Sequence, residues 1–267
     1  MSKLYKLGVI GSPIEHSLSP QLHNYWIKKN NLNAVYDKKL LKQDEIEKLI
    51  LDLREEKIHG LNVTVPFKKT VIPFLDVLSE EARHAESVNT IYKKNNKIVG
   101  ENTDIEGFKI GLETTNQVIK DKEALILGAG GVVPSIIIAL KKMQISKIYL
   151  SNRTKQKALE IKKLFPEIEI IEWGKTVNFN IIINATSVGL REGEEINIDY
   201  EKISKNKLFY DVIYNPKETN FLKKAKKFGA EVENGKMMFL YQAQKAFFIW
   251  HNVLPEVDNE TINLLNL

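Results

Sequence analysis

The chain has 267 residues, 43% hydrophobic and 27% charged, an ordinary globular composition with room for one large or two modest domains. Its 39 basic and 34 acidic residues give a net charge of +5, but the charges are interspersed, and no basic run or aromatic-basic module points to nucleic acid. Cysteine is absent, which excludes disulfides and thiolate chemistry; no apolar stretch has the length of a signal peptide or membrane span, so a cytoplasmic protein is expected.

YKLGVIGS (5–12) reads as a strand, and Ser19-Pro20 offers an N-cap and a proline at N1 for a helix through Tyr25 and Trp26. VYDKKLL (35–41) is a second strand, and DEIEKLILDLREE (44–56) has apolar residues at helical spacing. HGLNVTV (59–65) is a third strand, cut off by Pro66. Residues 88–100 read as two short strands around the turn signal Asn95-Asn96. Thr103-Asp104-Ile105-Glu106 matches a capping box and opens a helix from 103 to about 114. NQVIKDK (116–122) is polar and unpatterned, a plausible junction.

A second α/β series follows. EALILGAGG (123–131) is a strand and a glycine turn leading into a helix; KIYLSNRT (147–154), EIEIIEW (167–173), FNIIINAT (179–186) and KLFYDVIY (207–214) are further strands. They are apolar on both faces, as in a parallel sheet covered by helices. Lys236 to Asn252 has a helical pattern that ends before Pro255.

The glycine turn stands in the context of a dinucleotide site, between strand and helix. Gly128 permits the tight turn, Gly130 lets backbone approach a pyrophosphate, and the helix N-terminus supplies free N–H groups. Val133 occupies the third position of the motif, where a small residue favours close packing. A plain tight turn would look the same, so the next strand matters. An NAD site carries Asp or Glu at its end; here stand Asn152-Arg153-Thr154, with Lys155 and Lys157 behind. A guanidinium matches a phosphate, which favours NADP over NAD.

In the first half, Lys68 follows a strand end, and Asp104 sits in the first turn of a helix, where the dipole favours a carboxylate. Oxidising an alcohol by hydride transfer needs a group that exchanges the hydroxyl proton, and Lys68 held by Asp104 fits. His16-Ser17-Leu18-Ser19, Asn62 with Thr64, Asn89-Thr90 and Asn102-Thr103-Asp104 all fall at strand ends or helix starts. Carboxyl ends of strands share one crevice, and short hydroxyl and amide groups there suit a small polyhydroxylated ligand. His16 and His23 lack the partners of a metal site and read as packed or capping histidines.

With these residues in place, the chain resembles the shikimate dehydrogenase family along nearly its whole length. The motifs are GSPIEHSLSPQLHN (11–24), GLNVTVPFKK (60–69), SVNT (87–90), GENTDIEG (100–107), GAGG (128–131), NRT (152–154), INATSVGL (183–190), DVIYNPKET (211–219) and NGKMMFLYQAQKAFFIW (234–250). The resemblance implies NADPH-dependent, reversible reduction of 3-dehydroshikimate to shikimate, with no metal. It implies an N-terminal α/β substrate domain (1–103 with 237–267, the C-terminal helices returning to it) and a Rossmann-like NADP domain (104–236).

By matching motifs, Lys68 and Asp104 would be the acid/base pair and Ser17 and Ser19 would hold the substrate carboxylate. Thr64, Asn89 and Gln242 would bind the ring hydroxyls, with Asp104 also touching substrate and Tyr214 completing the pocket. Gly128, Ala129, Gly130, Gly131 and Val132 would cradle the pyrophosphate, and Asn152, Arg153 and Thr154 the adenosine phosphate. Val212, Gly235 and Met238 would border the nicotinamide, with Glu80 a weaker cofactor-side candidate. A monomer or homodimer is expected. Leu190 stands where the family commonly has methionine, a mild departure. A relative acting on quinate or with NAD is opposed by Ser17, Ser19 and Arg153. A dinucleotide sensor without chemistry is opposed by the retention of Lys68 and Asp104.

Overall fold

The computed structural model describes residues 3–175 and 177–265. The chain divides into two α/β units, one formed by the residues up to Gly107 and from Leu240 onward, the other by Phe108–Phe239.

The first unit begins with β1 (Tyr5–Gly11), α1 (Ser19–Lys29), β2 (Ala34–Leu40), α2 (Ile46–Arg54) and β3 (Gly60–Val63). It continues with β4 (Val77–Leu78), α3 (Glu80–Ala85), β5 (Thr90–Lys94) and β6 (Lys97–Glu101). The sheet order is β2-β1-β3-β5-β6-β4, with β5 antiparallel to both its neighbours. Ile10, Leu61, Val63, Ile91 and Ile98 pack with Ile46, Leu49, Ile50 and Leu53 of α2 in one core. Side chains alternate along a strand, so Asn62, between Leu61 and Val63, points to the opposite face. The Asn95-Asn96 turn has positive φ at both residues, as a tight hairpin requires.

Two expected caps are corrected. Ser19 is already the first helical residue of α1, with Leu18 in the cap position and no side-chain cap. The Ser17 hydroxyl accepts from the Ser19 N–H at 3.4 Å, so the turn starts two residues earlier. At α4 (Asp104–Glu113), Asn102 rather than Thr103 caps: its Oδ1 accepts from the N–H groups of Asp104 (3.1 Å) and Ile105 (3.3 Å). The Thr103 hydroxyl is taken by Asn89, and Glu106 pairs with Lys245 at 2.9 Å instead of closing a capping box.

The unit boundary falls inside α4, and residues 116–122, expected as a junction, lie within the second unit, where Ile119 is buried. That unit runs β7 (Glu123–Leu127), α5 (Val133–Lys142), β8 (Lys147–Ser151), α6 (Lys155–Leu164), β9 (Glu169–Ile171) and β10 (Ile181–Asn184). It ends with α7 (Tyr200–Ile203), β11 (Leu208–Asp211), α8 (Asn220–Lys227) and β12 (Glu231–Glu233). All six strands are parallel, in the order β12-β11-β10-β7-β8-β9. The direction of winding reverses between β7 and β10, the point at which such sheets open a crevice for ligand. Val133, the first residue of α5, is fully buried.

Helix α9 (Lys236–His251) starts in the second unit and ends in the first, followed by α10 (Asn259–Leu264). In the first unit Phe247 and Trp250 of α9 join His23, Trp26 and Tyr36 in one aromatic cluster. The Trp250 indole lies on the backbone of β3: a Cβ at Gly60 would stand 2.3 Å from its Nε1. No helix of the described residues is long and apolar enough to cross a membrane.

Candidate active site

In the first unit the polar residues meet at the strand ends. β3 stops at Val63, and Thr64 begins a turn whose carbonyl accepts from the N–H of buried Phe67 at 2.9 Å. The turn delivers Lys68, whose carbonyl accepts from Val88 N–H at 2.9 Å, fixing its backbone to the segment before β5. Its ammonium reaches Asp104 Oδ2 at 2.5 Å, with 14% and 7% of the two side chains exposed. Asp104 opens α4, where the helix dipole favours its negative charge.

Asn89, buried just before β5, binds this pair together. Its Nδ2 lies 3.0 Å from Asp104 Oδ1, 2.8 Å from Thr103 Oγ1 and 3.4 Å from Gln242 Oε1 on α9. Thr64 is half-buried, and its methyl presses on β1: a Cβ at Gly11 would stand 2.5 Å from it. Ser17 is half-buried and Ser19 buried, at the start of α1. Lys69 is exposed and pairs with Glu86 at 2.7 Å.

In the second unit the glycine turn follows β7. Gly128 has φ +110°, and a Cβ there would meet the Ala185 carbonyl oxygen at 2.7 Å, so only glycine fits. A Cβ at Gly131 would meet nothing within 4 Å and one at Gly130 only the Ala185 carbonyl oxygen at 3.9 Å, so no side chain crowds this part of the turn. α5 has neither a side-chain cap nor an acidic residue in its first turn, the condition in which a helix start attracts an anion. After β8, Asn152 Nδ2 donates to the Thr154 carbonyl at 2.8 Å, and Arg153 projects into solvent with no described carboxylate paired to it.

The segment after β11 is held by a buried carboxylate. Asp211 accepts from Asn184 Nδ2 (3.0 Å), the Ile213 N–H (3.0 Å) and Thr219 Oγ1 (2.6 Å). Burial pushes its pKa up to about 6 against these three donors. Val212 and Gly235 are in close contact, since a Cβ at Gly235 would stand 2.1 Å from the Val212 carbonyl oxygen. Tyr214 stacks on Phe239 at 4.5 Å, and burial raises its phenol to about 12.

Residues 9–91 match the model of the shikimate dehydrogenase substrate binding domain, and residues 112–217 that of shikimate / quinate 5-dehydrogenase. The chain belongs to the shikimate dehydrogenase family. A curated relative from Pelagibacter ubique, a shikimate dehydrogenase (NADP(+)), is 72% identical over 259 residues, covering 97% of this chain and 98% of its own. The crystal structure of shikimate dehydrogenase from Aquifex aeolicus has a TM-score of 0.90 at 38% identity, covering 97% of this chain and 96% of its own. The Thermus thermophilus enzyme in complex with NADP(H) and shikimate has a TM-score of 0.88 at 29% identity, covering 97% of each chain. The two-domain α/β fold expected from the sequence is the fold of this family.

Of the residues that sequence singled out, Ser17, Ser19, Thr64, Lys68, Asn89, Asp104 and Gln242 lie in the first unit. Lys68, Asp104, Asn89 and Gln242 form one hydrogen-bonded group there. Glu80, also in the first unit, is the exposed first residue of α3, away from any hydrogen bond to that group. Gly128 to Val132, Asn152 to Thr154, Val212, Tyr214, Gly235 and Met238 lie in the second unit. His23 is a packed histidine: it stacks on Tyr36 at 4.2 Å, and burial lowers its pKa to about 3. Tyr36 and Asp211 are not among the residues the sequence singles out; Tyr36 carries one signal, as the aromatic residue just before the polar run Asp37-Lys38-Lys39.

Proposed function

We propose that this chain is a shikimate dehydrogenase that reversibly reduces 3-dehydroshikimate to shikimate with NADPH, within chorismate and aromatic amino-acid biosynthesis. The observation that carries the reading is the Lys68–Asp104 pair at 2.5 Å, tied to Asn89 and through it to Gln242. Such a pair at strand ends, among short amides and hydroxyls, fits proton exchange with a ring hydroxyl.

The second unit fits the cofactor: the Gly128 turn, the absence of side chains at Gly130 and Gly131, the start of α5 without a side-chain cap, and Arg153, exposed with no described carboxylate beside it, suit an anionic dinucleotide with a 2′-phosphate. Gly128 to Val132 would hold the pyrophosphate, Asn152 to Thr154 the adenosine phosphate, and Val212, Gly235 and Met238 the nicotinamide side. NADPH, when bound, supplies the hydride to the ketone carbon. Lys68 donates its proton to the ketone oxygen as charge develops there, and its partly exposed amine regains a proton from solvent. Asp104 holds the ammonium in place, and Asn89 and Gln242 orient the ring hydroxyls. Ser17 and Ser19 would receive the carboxylate, Thr64 would join Asn89 and Gln242 on the ring hydroxyls, Tyr214 is a further substrate-binding candidate, and Glu80 is a minor cofactor-binding candidate.

Purified protein is to be mixed with shikimate or quinate, each with NADP or NAD, and the absorbance of reduced nicotinamide followed. The expected rise is greatest with shikimate and NADP. Silence in all four mixtures, from folded protein, overturns the assignment.

A further inference from the structure

A chain of buried hydrogen bonds runs under the Lys68–Asp104 pair, and three of its members have no role in the reading above. The strand register sets them in line: Leu7 of β1 pairs with Tyr36, Val9 with Asn62, and Asn62 with Thr90. The Tyr36 side chain crosses β1, stacked on His23, and donates its phenolic proton to Asn62 Oδ1 at 2.6 Å. Both Asn62 amide protons are then used, one on Thr90 Oγ1 (3.0 Å) and one on the Asn89 carbonyl (3.1 Å).

Thr90, having accepted from Asn62, turns its own proton toward Asn89 Oδ1, 3.2 Å away. Its other possible acceptor, Thr103 Oγ1, is farther, at 3.5 Å. Asn89 Oδ1 also accepts from the Thr103 N–H at 2.7 Å, so both its lone pairs are occupied. The Asn89 amide is left with N–H groups only, and one of them faces Asp104 Oδ1 at 3.0 Å. Every bond points the same way, from Tyr36 through Asn62, Thr90 and Asn89 to the carboxylate. All five residues are buried, so each link counts for more than it would in water.

We infer that Tyr36, Asn62 and Thr90 are positioning residues for the acid/base pair: they fix the Asn89 amide as a donor to Asp104 and, through Asp104, aim Lys68. The inference rests on the catalytic reading of Lys68 and Asp104. Its difference from a purely structural role is that the hydroxyl of Thr90, not its bulk, matters.

The test compares Thr90→Val, which keeps the shape, with Thr90→Ser, which keeps the hydroxyl. Thr90→Val lowers kcat about tenfold, the effect of one lost buried hydrogen bond felt in the transition state, with the KM for NADP unchanged. Thr90→Ser stays within about twofold of the parent, the range of a neutral substitution. In an Asn89→Ala background Thr90→Val has no further effect on kcat, because the residue through which it acts is gone. Equal losses in both Thr90 variants, or fully additive losses in the double variant, overturn the inference. Should Thr90→Val fail to fold, Tyr36→Phe decides: a several-fold lower kcat supports the chain of bonds, and an unchanged kcat refutes it.

A crystal structure of Thr90→Val, or of Tyr36→Phe in its place, reads the same point without turnover. Asn89 displaced from Asp104 is the expected result, and Asn89 unmoved overturns the inference even if shikimate proves not to be the substrate. Parent enzyme that turns over shikimate beside equally active Thr90→Val removes this inference alone.

Discussion

Lys68→Ala puts the acid/base pair to its most direct test. The ammonium stands 2.5 Å from Asp104 Oδ2, and at an effective dielectric of about 20 their attraction is about 7 kcal/mol before desolvation. Desolvation cancels much of this, and removing one partner of a buried pair costs about 3–5 kcal/mol. Asp104 keeps the Asn89 amide at 3.0 Å, and water can reach the space left by the lysine, so the lower end applies. A loss of about 3 kcal/mol corresponds to a melting temperature about 6–12 °C lower for a chain of this size. Turnover falls further, by about 10²–10⁴, because the proton donor is gone. The double variant Lys68→Ala/Asp104→Ala recovers part of the melting temperature, since no charge is left alone, but none of the turnover. Thermal unfolding and reduced-nicotinamide absorbance measure the two effects separately. A Lys68→Ala protein with the kcat of the parent refutes the proton-transfer role, whatever happens to its stability.

Burial raises Asp211 from its ordinary 3.8 to about 6, so the folded chain holds this proton more tightly than the unfolded one. The associated stability is complete below about pH 4 and lost as pH rises through about 6; Asp211→Asn removes that slope, worth about 3 kcal/mol across the window. Denaturant titrations of both proteins between these pH values check it, and equal slopes refute it. Arg153→Ala weakens NADP about tenfold or more, the value of a charge-assisted hydrogen bond, while NAD binding is little changed. Equal losses for both cofactors, measured by direct titration, dismiss the phosphate contact. Gly235→Ala places a methyl 2.1 Å from the Val212 carbonyl oxygen, and the overpacking costs about 1–3 kcal/mol. A lower melting temperature and a higher KM for NADP are expected; full stability would mean that this backbone yields freely.

Much of the fold is local enough to read from the chain. β1, α2, β7, β8, β10 and β11 have the periodicity their surroundings demand, and the glycine turn stands between strand and helix. The misses have separate causes. β4 and β12 have two and three residues, too short for any period, and exist because β6 and β11 offer edges to pair with. Asn102 and Thr103 are both capable of capping α4, and the choice is made by Asn89, whose amide takes the Thr103 hydroxyl. Helix α10 has six residues and a single local signal, its cap, with Asp258 accepting from the Thr261 N–H at 2.8 Å. Within the site, Lys68, Asn89 and Asp104 were legible because strand ends and helix starts converge in such sheets. Tyr36 was not, because its reach to Asn62 depends on the register of three strands.

The first unit is made from both ends of the chain, while the second is one uninterrupted run. During synthesis, therefore, the domain begun first is finished last. The rings of His23, Trp26 and Tyr36 emerge early but must wait for Phe247 and Trp250, at translation rates a delay on the order of ten seconds. Over that interval the nascent chain lacks the rings that cover this aromatic face. A chain cut just after Phe239 would hold the whole run of the second unit but leave the first without the rings of Phe247 and Trp250 that cover His23, Trp26 and Tyr36.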